Sequence, residues 1–425
     1  MSLAIYNLLL LVFSPLIYLY LLYRRSIGKE DTERWSERWG RYPEAVDGET
    51  GRPRLHVHCV SVGELMAAIP VLRELRKRYP EAFLIVTTTT IGGREVALKQ
   101  VPPADLVVYY PLDFPWVTAR ALAAIRPDVV ALLEWEIWPN FLTEAKRRGA
   151  KIVVLNGRIS DKGLRRGLRG RFFVASGLAA VDRFCMQSEE DARRAERVGV
   201  DPAKVRMLGN TKFDETSTML TPDERATLRA DLGIPPNVPV LVCGSTRPGE
   251  EEILAEAVAV LRSSFPDLFV IVAPRHLDRA DEAAAPFGPG LRRRSQREDR
   301  RATSTLLLDS FGELARVYAV ADVAFIGGSL KPFGGQSVFQ PLAQGVPAVF
   351  GPFMNNQRDI AALAMSEAVG FMVPDAKTLA WVVTRLLKRS GSERQAQAAR
   401  ARGLIERNQG VASRCVDVIA ELRGE

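Results

Sequence analysis

Cysteine and histidine are scarce in this chain of 425 residues. Its four cysteines, at positions 59, 185, 243 and 415, lie far apart without a CxxC pair, and two of its three histidines, His56 and His58, fall in one apolar stretch. This spacing indicates neither a disulfide framework nor a zinc site. So few histidines also argue against a histidine-rich metal centre, and we expect a protein of a reducing compartment.

Two nucleotide-binding signatures are missing as well. No GxGxxG follows the first predicted strand and no Walker A sequence occurs, which disfavours a conventional dinucleotide site and a P-loop NTPase. Acidic residues are fewer than basic ones, 50 against 58, which gives a formal net charge of +8. That excess of positive charge favours an anionic partner: a nucleotide, a phospholipid surface or nucleic acid.

Charge is absent from residues 2–23, which are rich in Leu, Ile, Tyr and Val and are followed at once by Arg24 and Arg25. This length suits one membrane-spanning helix of about 20 residues, and the basic pair places the rest of the chain on the cytoplasmic side. A cleaved signal peptide is disfavoured because it needs a basic start and a small-residue cleavage site. Pro15 leaves a kinked or shallow monotopic anchor open, and a buried core helix is the remaining alternative.

The next segment, residues 29–41, places Trp35 and Trp39 among charged residues and predicts an amphipathic helix at the membrane interface. A polar linker marked by Gly and Pro follows at residues 47–53.

Beyond this linker, short apolar runs alternate with amphipathic stretches, a pattern that predicts parallel sheets with right-handed crossovers. A polar, turn-rich break at residues 209–222 separates two such runs, so we predict two doubly wound halves joined near residue 215. The predicted strands are residues 55–60, 83–87, 106–110, 129–133 and 152–155, then 240–243, 269–273, 305–308, 322–326 and 348–350. The predicted helices are residues 64–78, 93–100, 116–125, 140–148 and 189–198, then 250–264, 312–319 and 337–344.

One glycine-rich stretch of the second half has the layout of a phosphate-binding site. A predicted strand ends at Ile326, glycines at 327, 328, 334 and 335 follow, and a helix is predicted to begin near Ser337. Glycines let backbone N–H groups approach a ligand closely, and a helix N-terminus attracts an anion. The alternative is that these glycines serve only tight turns.

Ligands of open parallel sheets bind at the carboxyl ends of the strands, so the residues that follow each strand are candidates. Glu64 follows the first strand at a helix start, where a carboxylate either stabilises the helix N-terminus or acts as a general base for a hydroxyl. Glu134 and Glu136 follow the fourth strand on one side, so at least one is expected to meet a cation or a polar ligand. Lys212 lies in the break between the halves, where it can neutralise charge.

Arginines are the other candidates. Those at positions 165, 166, 169 and 171 form either a solvated face or a site for anionic head groups or substrate phosphates. Arg275 ends a strand and is suited to bidentate phosphate contact, and residues 311–313 can offer N–H groups and a ring to a base or ribose. The arginines at 292–294, 297, 300 and 301 are expected in a solvated polar loop.

Eight short motifs follow the apolar N-terminus in a fixed order. They are SVGE at 61–64, ExEIWPN at 134–140, NGRISDK at 156–162, GNTKFD at 209–214, GSTRPGEE at 244–251, PRH at 274–276, FGE at 311–313 and GGSL at 327–330 with its glycine loop. Over nearly the whole chain they resemble the transferases of 3-deoxy-D-manno-octulosonic acid (Kdo) in lipopolysaccharide synthesis.

This resemblance implies the α/β GT-B fold: two doubly wound Rossmann-like domains facing across a cleft, with an N-terminal membrane-anchor helix. The implied division is an anchor at 1–25, an interfacial helix and linker at 26–52, an acceptor-binding domain at 53–212 and a CMP-sugar-binding domain at 213–425. The implied enzyme is an inverting glycosyltransferase without metal or cofactor, on the cytoplasmic side of the inner membrane. CMP-Kdo is the implied donor, a lipid A precursor of the lipid IVA type the acceptor, and inner-membrane phospholipid a further partner, whereas nucleic acid is not.

Residue roles also follow from the resemblance. Glu64 is the implied base, and Glu134 and Lys212 stabilise the transition state. CMP contacts are implied for Pro274, Arg275, Phe311, Gly312, Glu313, Ser337, Val338, Phe339 and Gln340, and acceptor or Kdo contacts for Ser61, Gly63, Arg158 and Ser160.

One stretch departs from the family. Residues 334–341 read GGQSVFQP where the family usually reads GGHNxxEP, so Gln336, Ser337 and Gln340 replace His, Asn and Glu. A glutamine at 340 keeps one acceptor for the ribose hydroxyls but loses the charge, which predicts donor binding weaker by roughly 1–2 kcal/mol. Two alternatives therefore stay open: a membrane-associated GT-B transferase for another nucleotide sugar, and an inactive GT-B scaffold that binds lipid or a partner protein.

Overall fold

The computed structural model describes residues 2–43, 51–100, 104–214, 219–296 and 303–425. The chain forms two compact units, residues 1–215 with 408–425 and residues 216–407. Residues 47–50 of the predicted linker, residues 215–218 of the predicted break, and Arg297, Arg300 and Arg301 lie outside the described residues.

The first unit contains a sheet of seven parallel strands in the order β3-β2-β1-β4-β5-β6-β7. They are β1 (Arg54–Cys59), β2 (Phe83–Thr88), β3 (Leu106–Tyr109), β4 (Val129–Leu133), β5 (Lys151–Gly157), β6 (Arg183–Met186) and β7 (Val205–Met207). The central strands β1 and β4 are buried along their whole length, as parallel strands covered on both faces require. The five predicted strands are confirmed, whereas β6 and β7 were missed because runs of four and three residues show no period.

Helices cover this sheet. They are α1 (Ser2–Ser26), α2 (Val62–Arg78), α3 (Ile91–Gln100), α4 (Pro115–Ile125), α5 (Pro139–Arg147), α6 (Asp161–Ala180) and α7 (Glu189–Val198). The predicted helices are confirmed to within a few residues. Of these seven helices, α6 was not predicted, because its four glycines are poor helix formers and its four arginines interrupt the apolar pattern.

The second unit contains another sheet of seven parallel strands, in the order β10-β11-β9-β8-β12-β13-β14. They are β8 (Val240–Thr246), β9 (Phe269–Pro274), β10 (Arg292–Arg293), β11 (Thr305–Leu307), β12 (Val323–Ile326), β13 (Ala348–Phe350) and β14 (Gly370–Met372). Its helices are α8 (Pro222–Asp231), α9 (Glu251–Ser264), α10 (Ala280–Ala284), α11 (Leu314–Val317), α12 (Phe339–Ala343), α13 (Arg358–Ser366), α14 (Ala376–Leu387) and α15 (Gly391–Asn408). The five strands predicted for this half are confirmed.

The last helix, α16 (Val411–Arg423), belongs to the first unit. Its apolar face, including Cys415 and Ile419, joins the same buried cluster as Leu65 of α2. The two carboxylate oxygens of Asp214 accept the N–H groups of Gly410 and Ala412, each at 2.6 Å. The predicted domain 213–425 therefore needs a correction: burial of this apolar face places residues 408–425 with the first unit.

The segment predicted as an interfacial helix is instead part of the first unit. Only a 3-10 turn, Trp35–Trp39, forms there, and Glu37 and Arg38 are buried. The Glu37 carboxylate accepts the Tyr109 N–H at 2.8 Å, and Arg38 pairs with Glu30 at 3.1 Å. The prediction was wrong because these charges find partners inside the protein, where an amphipathic surface helix would leave them in solvent.

Candidate active site

Glu64 lies in the first turn of α2, at the carboxyl edge of the first sheet. Ser61 is the N-cap of this helix, and its hydroxyl accepts the Glu64 N–H at 3.5 Å. In return, Glu64 Oε2 accepts the Val60 N–H at 2.7 Å and Oε1 accepts the Ser61 hydroxyl proton at 3.3 Å. The helix-stabilising role considered from the sequence is therefore present, in the form of a capping arrangement.

Electrostatics distinguish Glu64 from an ordinary helix cap. The helix N-terminus and the two hydrogen bonds favour its carboxylate form, yet burial, and then the charges of Glu134 and Glu136, raise the pKa of Glu64 to about 8. Burial also raises the pKa of Glu136 to about 7, although the Trp138 indole N–H donates to its carboxylate at 3.0 Å. Because β4 pairs with β1, the residues after the two strands bring the charges of Glu134 and Glu136 close enough to Glu64 to raise its pKa.

Glu134 is turned out of β4 by its own backbone. Its φ of 59° is left-handed, a conformation that is uncommon for a residue with a side chain and that often marks functional sites. Its N–H donates to the carbonyl of Leu155 at 3.0 Å, and this hydrogen bond holds the Glu134 backbone against the neighbouring strand β5. Of the two acids, Glu136 has a polar partner within the protein: its carboxylate accepts a hydrogen bond from the indole N–H of Trp138.

Lys212 lies in a 3-10 turn, Thr211–Asp214, that packs against α2. Side-chain amides hold this turn: Asn156 Oδ1 accepts the Thr211 N–H and Asn210 Oδ1 accepts the Lys212 N–H, each at 3.0 Å. Asn156 itself follows the apolar part of β5 with a left-handed φ of 54°. Sequence reasoning missed both asparagines, although Asn156 directly follows a predicted strand.

The remaining first-unit candidates, Ser61, Gly63, Arg158 and Ser160, differ in their surroundings. Gly63 is exposed and Arg158 is half-buried. Ser160 is the N-cap of α6, and its hydroxyl accepts the Gly163 N–H at 3.1 Å. Ser61 and Gly63 thus lie beside Glu64, while Ser160 already has a structural role.

The glycine loop after β12 does not present its N–H groups as the sequence suggested. A buried carboxylate, Glu250, accepts the N–H groups of Gly328 at 2.6 Å and of Ser329 and Leu330 at 2.8 Å each. Packing also requires glycine at 327, since a Cβ there would lie 2.2 Å from the Ser245 carbonyl oxygen. The phosphate-binding interpretation was therefore wrong for the amides of residues 328–330, which already donate to Glu250.

Glu250 joins this loop to the end of β8, because the same carboxylate accepts the Arg247 N–H at 2.9 Å. Arg247 Nη1 in turn donates to His276 Nε2 at 2.7 Å, and its guanidinium lies over the Phe333 ring, 5.3 Å from the centroid. Burial, and then the charge of Arg275, lowers the pKa of Arg247, and its Nε is buried without a hydrogen-bond partner among the described residues. Arg247 and Arg275, whose positive charges act on each other, are suited to bind an anion. Sequence reasoning missed Arg247 although GSTR directly follows a predicted strand.

The residues predicted to contact CMP follow β9, β11 and β12. In the sheet, β9 and β12 are the neighbours of β8, and β11 lies next to β9. Arg275 follows β9 and is exposed, while Pro274 is buried. Ser337 and Gln340 are half-buried after β12, but Val338 and Phe339 are core side chains, 0% and 4% exposed. Only backbone groups of these two are then available to a nucleotide, because α12 turns their side chains inward.

The segment 311–313 follows β11. Phe311 is 84% exposed and Gly312 has a left-handed φ of 86°. Glu313 is engaged, since its carboxylate pairs with Arg294 at 3.0 Å. Arg294 is only 7% exposed and also pairs with Asp231 at 2.6 Å, so the prediction of a solvated loop was wrong for this arginine.

Comparisons with known proteins agree with these motifs. A family model described as 3-deoxy-D-manno-octulosonic-acid transferase (kdotransferase) matches residues 33–215. The 3-deoxy-D-manno-octulosonic acid transferase of Bordetella pertussis is 32% identical over the full length of both chains. The enzyme of the same name from Chlamydophila psittaci is 32% identical over 86% of this chain and 84% of its own.

Solved structures agree on the fold. A glycosyltransferase from Rickettsia africae matches with a TM-score of 0.63 at 13% identity, over 88% of this chain and 99% of its own. A UDP-GlcNAc 2-epimerase from Neisseria meningitidis matches with a TM-score of 0.61 at 14% identity, over 86% and 99%. These likenesses show the GT-B fold, to which the two parallel sheets correspond. By its sequence relatives, the chain belongs to the family of 3-deoxy-D-manno-octulosonic acid transferases, glycosyltransferases of lipopolysaccharide biosynthesis.

Proposed function

We propose that this protein moves Kdo from CMP-Kdo to a lipid A precursor of the lipid IVA type, with inversion at the anomeric carbon. One observation carries the proposal: the Glu64 carboxyl group stands at a strand end beside Glu134 and Glu136, with its pKa raised to about 8. A base whose pKa lies near the working pH is suited to take the proton of a hydroxyl. Family membership supports the choice of sugar.

The proposed reaction is a single displacement. The acceptor hydroxyl gives its proton to Glu64 while its oxygen bonds to the anomeric carbon of Kdo. The bond from that carbon to the phosphate oxygen breaks on the opposite face, and CMP leaves with the bonding electrons. Glu134 and Lys212 stabilise the charges that develop in the transition state, and the Asn210 side-chain oxygen fixes the backbone of Lys212 by accepting its N–H.

The donor side of the proposal rests on the second unit. Arg275 binds the CMP phosphate, and the ring of Phe311 and the backbone at residues 312 and 337–340 face the nucleoside. No metal is required in this scheme, because the leaving group is a phosphate monoester and guanidinium groups can stabilise its charge.

The site of action we propose is the inner membrane, with the catalytic units on the cytoplasmic side. Among the described residues, α1 is the one helix that is long and apolar enough to cross a membrane. An anionic lipid acceptor and an anionic phospholipid surface both suit a chain with a net charge of +8.

The test is transfer from CMP-Kdo to lipid IVA by the purified full-length protein, followed by product mass. We expect an added mass of one or more Kdo residues and loss of about 10²–10⁴-fold in rate for Glu64→Gln. Because Glu64 also caps α2, circular dichroism of the variant must first show an unchanged fold. Unchanged transfer at saturating substrate by a folded Glu64→Gln protein would refute the base assignment.

Gln340 supports one second candidate, a transferase for another nucleotide sugar. Its uncharged amide stands where the family has a carboxylate for ribose. Transfer from a UDP-sugar and not from CMP-Kdo in the same assay would favour this candidate.

A further inference from the structure

The helix α1 lies along the first unit over its whole length. Its half-buried residues recur every three or four positions, and all others are exposed. The half-buried residues are Ser2, Leu3, Tyr6, Asn7, Leu10, Ser14, Ile17, Leu21, Leu22 and Arg24. This spacing is one face of a helix, so that face rests on protein from one end to the other.

Specific contacts fix both ends of α1. Near the start, the Tyr6 hydroxyl donates to Asp113 Oδ2 at 3.0 Å, and Asn7 Oδ1 accepts the side-chain N–H of Asn140 at 2.7 Å. Near the end, Arg24 Nε pairs with Glu30 at 2.8 Å. Tyr6 and Arg24 are about 27 Å apart along a helix, close to the roughly 30 Å of a hydrocarbon core.

These contacts are incompatible with a helix that crosses the bilayer. Asp113 is buried and also accepts the N–H groups of Asn140 and Phe141, at 3.1 and 2.8 Å. A spanning α1 would carry this carboxylate and the adjoining fold into hydrocarbon, where unsatisfied polar and charged groups are costly. The alternative, detachment of α1, would leave Asp113 and Asn140 without partners that they have here.

The opposite face of α1 is apolar and open. Leu8, Leu11, Val12, Leu16 and Leu19 are 59%, 59%, 60%, 62% and 60% exposed. A continuous stripe of this kind on a soluble surface marks an interaction site.

The helix against which α1 packs, α6, carries positive charge. Four of its arginines, at positions 165, 166, 169 and 171, are exposed together with Leu168 and Phe172. Apolar side chains flanked by arginines are the composition that binds an anionic membrane surface in its plane.

We propose that α1 is an in-plane anchor: its Leu8–Leu19 face lies in the headgroup and acyl boundary of an anionic phospholipid membrane, and its N-terminus stays on the same side as the two units. This proposal deepens the membrane location given under Proposed function and depends on it. It replaces the single membrane span that length and composition alone predict.

Thiol labelling tests the side on which the N-terminus lies. All four native cysteines are buried, so Ser2→Cys at the half-buried start of α1 and, as a control, the exposed Ser392→Cys each add one thiol that lies outside the buried core. In spheroplasts treated with a membrane-impermeant maleimide, we expect both variants to stay unlabelled until the membrane is permeabilised. Labelling of Ser2→Cys alone in intact spheroplasts would overturn the in-plane orientation while leaving membrane location and transfer activity untouched. Recovery of active protein in the soluble fraction would instead refute the proposal that this face of α1 binds a membrane.

Spin-label depth is a second, independent measurement. Nitroxides at Leu8→Cys, Val12→Cys and Leu16→Cys are read on full-length protein bound to vesicles of phosphatidylethanolamine and phosphatidylglycerol. An in-plane helix places the three at one shallow depth, and the half-buried Leu10→Cys contacts lipid less than its neighbour Leu11→Cys. A depth that peaks at Val12, with equal lipid contact at positions 10 and 11, would overturn the proposal.

Discussion

Replacement of Glu136 by glutamine tests whether the raised pKa of Glu64 controls the reaction. The Glu136 charge contributes to that raised pKa, after burial and Glu134. Glutamine keeps an oxygen for the Trp138 indole N–H, which donates to Glu136 at 3.0 Å. The substitution therefore removes a charge with little change of shape.

The size of the effect follows from the titration of Glu64. With a pKa of about 8, about a quarter of Glu64 is ionised at pH 7.5. A decrease of one pKa unit, worth about 1.4 kcal/mol, would raise that share to about three quarters. Because a base acts in its deprotonated form, loss of the Glu136 charge should raise kcat/KM at pH 7.5, by about threefold for a decrease of one unit, and should move the acidic limb of the pH profile to lower pH.

The assay is kcat/KM for Kdo transfer between about pH 6 and about pH 9.5. Glu144→Gln is the matched control: it removes the same charge from α5, where Glu144 pairs with Arg147 and Arg148. An unshifted limb for Glu136→Gln, or an equal shift for Glu144→Gln, would refute the assignment of Glu64 as the titrating base.

Three further predictions concern the second unit. Glu250→Gln should lower the free energy of unfolding by about 1–3 kcal/mol in a urea titration, because an amide cannot accept all the N–H groups that the carboxylate binds. The control Glu252→Gln, at an exposed position of α9, should leave the free energy of unfolding unchanged, and an equal loss in both variants would refute the role of Glu250. Arg247→Lys should raise KM for CMP-Kdo about tenfold and leave KM for the acceptor unchanged, since lysine keeps the charge but loses the guanidinium fork; an unchanged donor KM would exclude Arg247 from donor binding. Gln340→Glu should tighten CMP binding by roughly 1–2 kcal/mol by calorimetry, and no tightening would show that this side chain does not bind ribose.

Most strands could be predicted from the sequence, because strands buried on both faces read as uninterrupted apolar runs. β4 (Val129–Leu133) has the bounds that its sequence predicts. Two elements could not be predicted. β7 is only three residues long, and in α6 the few buried positions are separated by arginines and other polar residues. The polar residues after each predicted strand could be named as candidates from the sequence, and the structure places Glu64 after β1 and Glu134 after β4.

The two parallel sheets, the apolar first helix and the family can be predicted without a structure, because they depend on local periodicity and on short motifs in a fixed order. The partner of each charged group depends instead on the three-dimensional fold. Glu250 accepts hydrogen bonds from the amides that the glycine loop was expected to offer, Glu313 is paired with Arg294, and burial together with the charges of Glu134 and Glu136 raises the pKa of Glu64. The reason is physical: burial and pairwise charge depend on distances between residues that are far apart in the chain, and no local pattern records those distances.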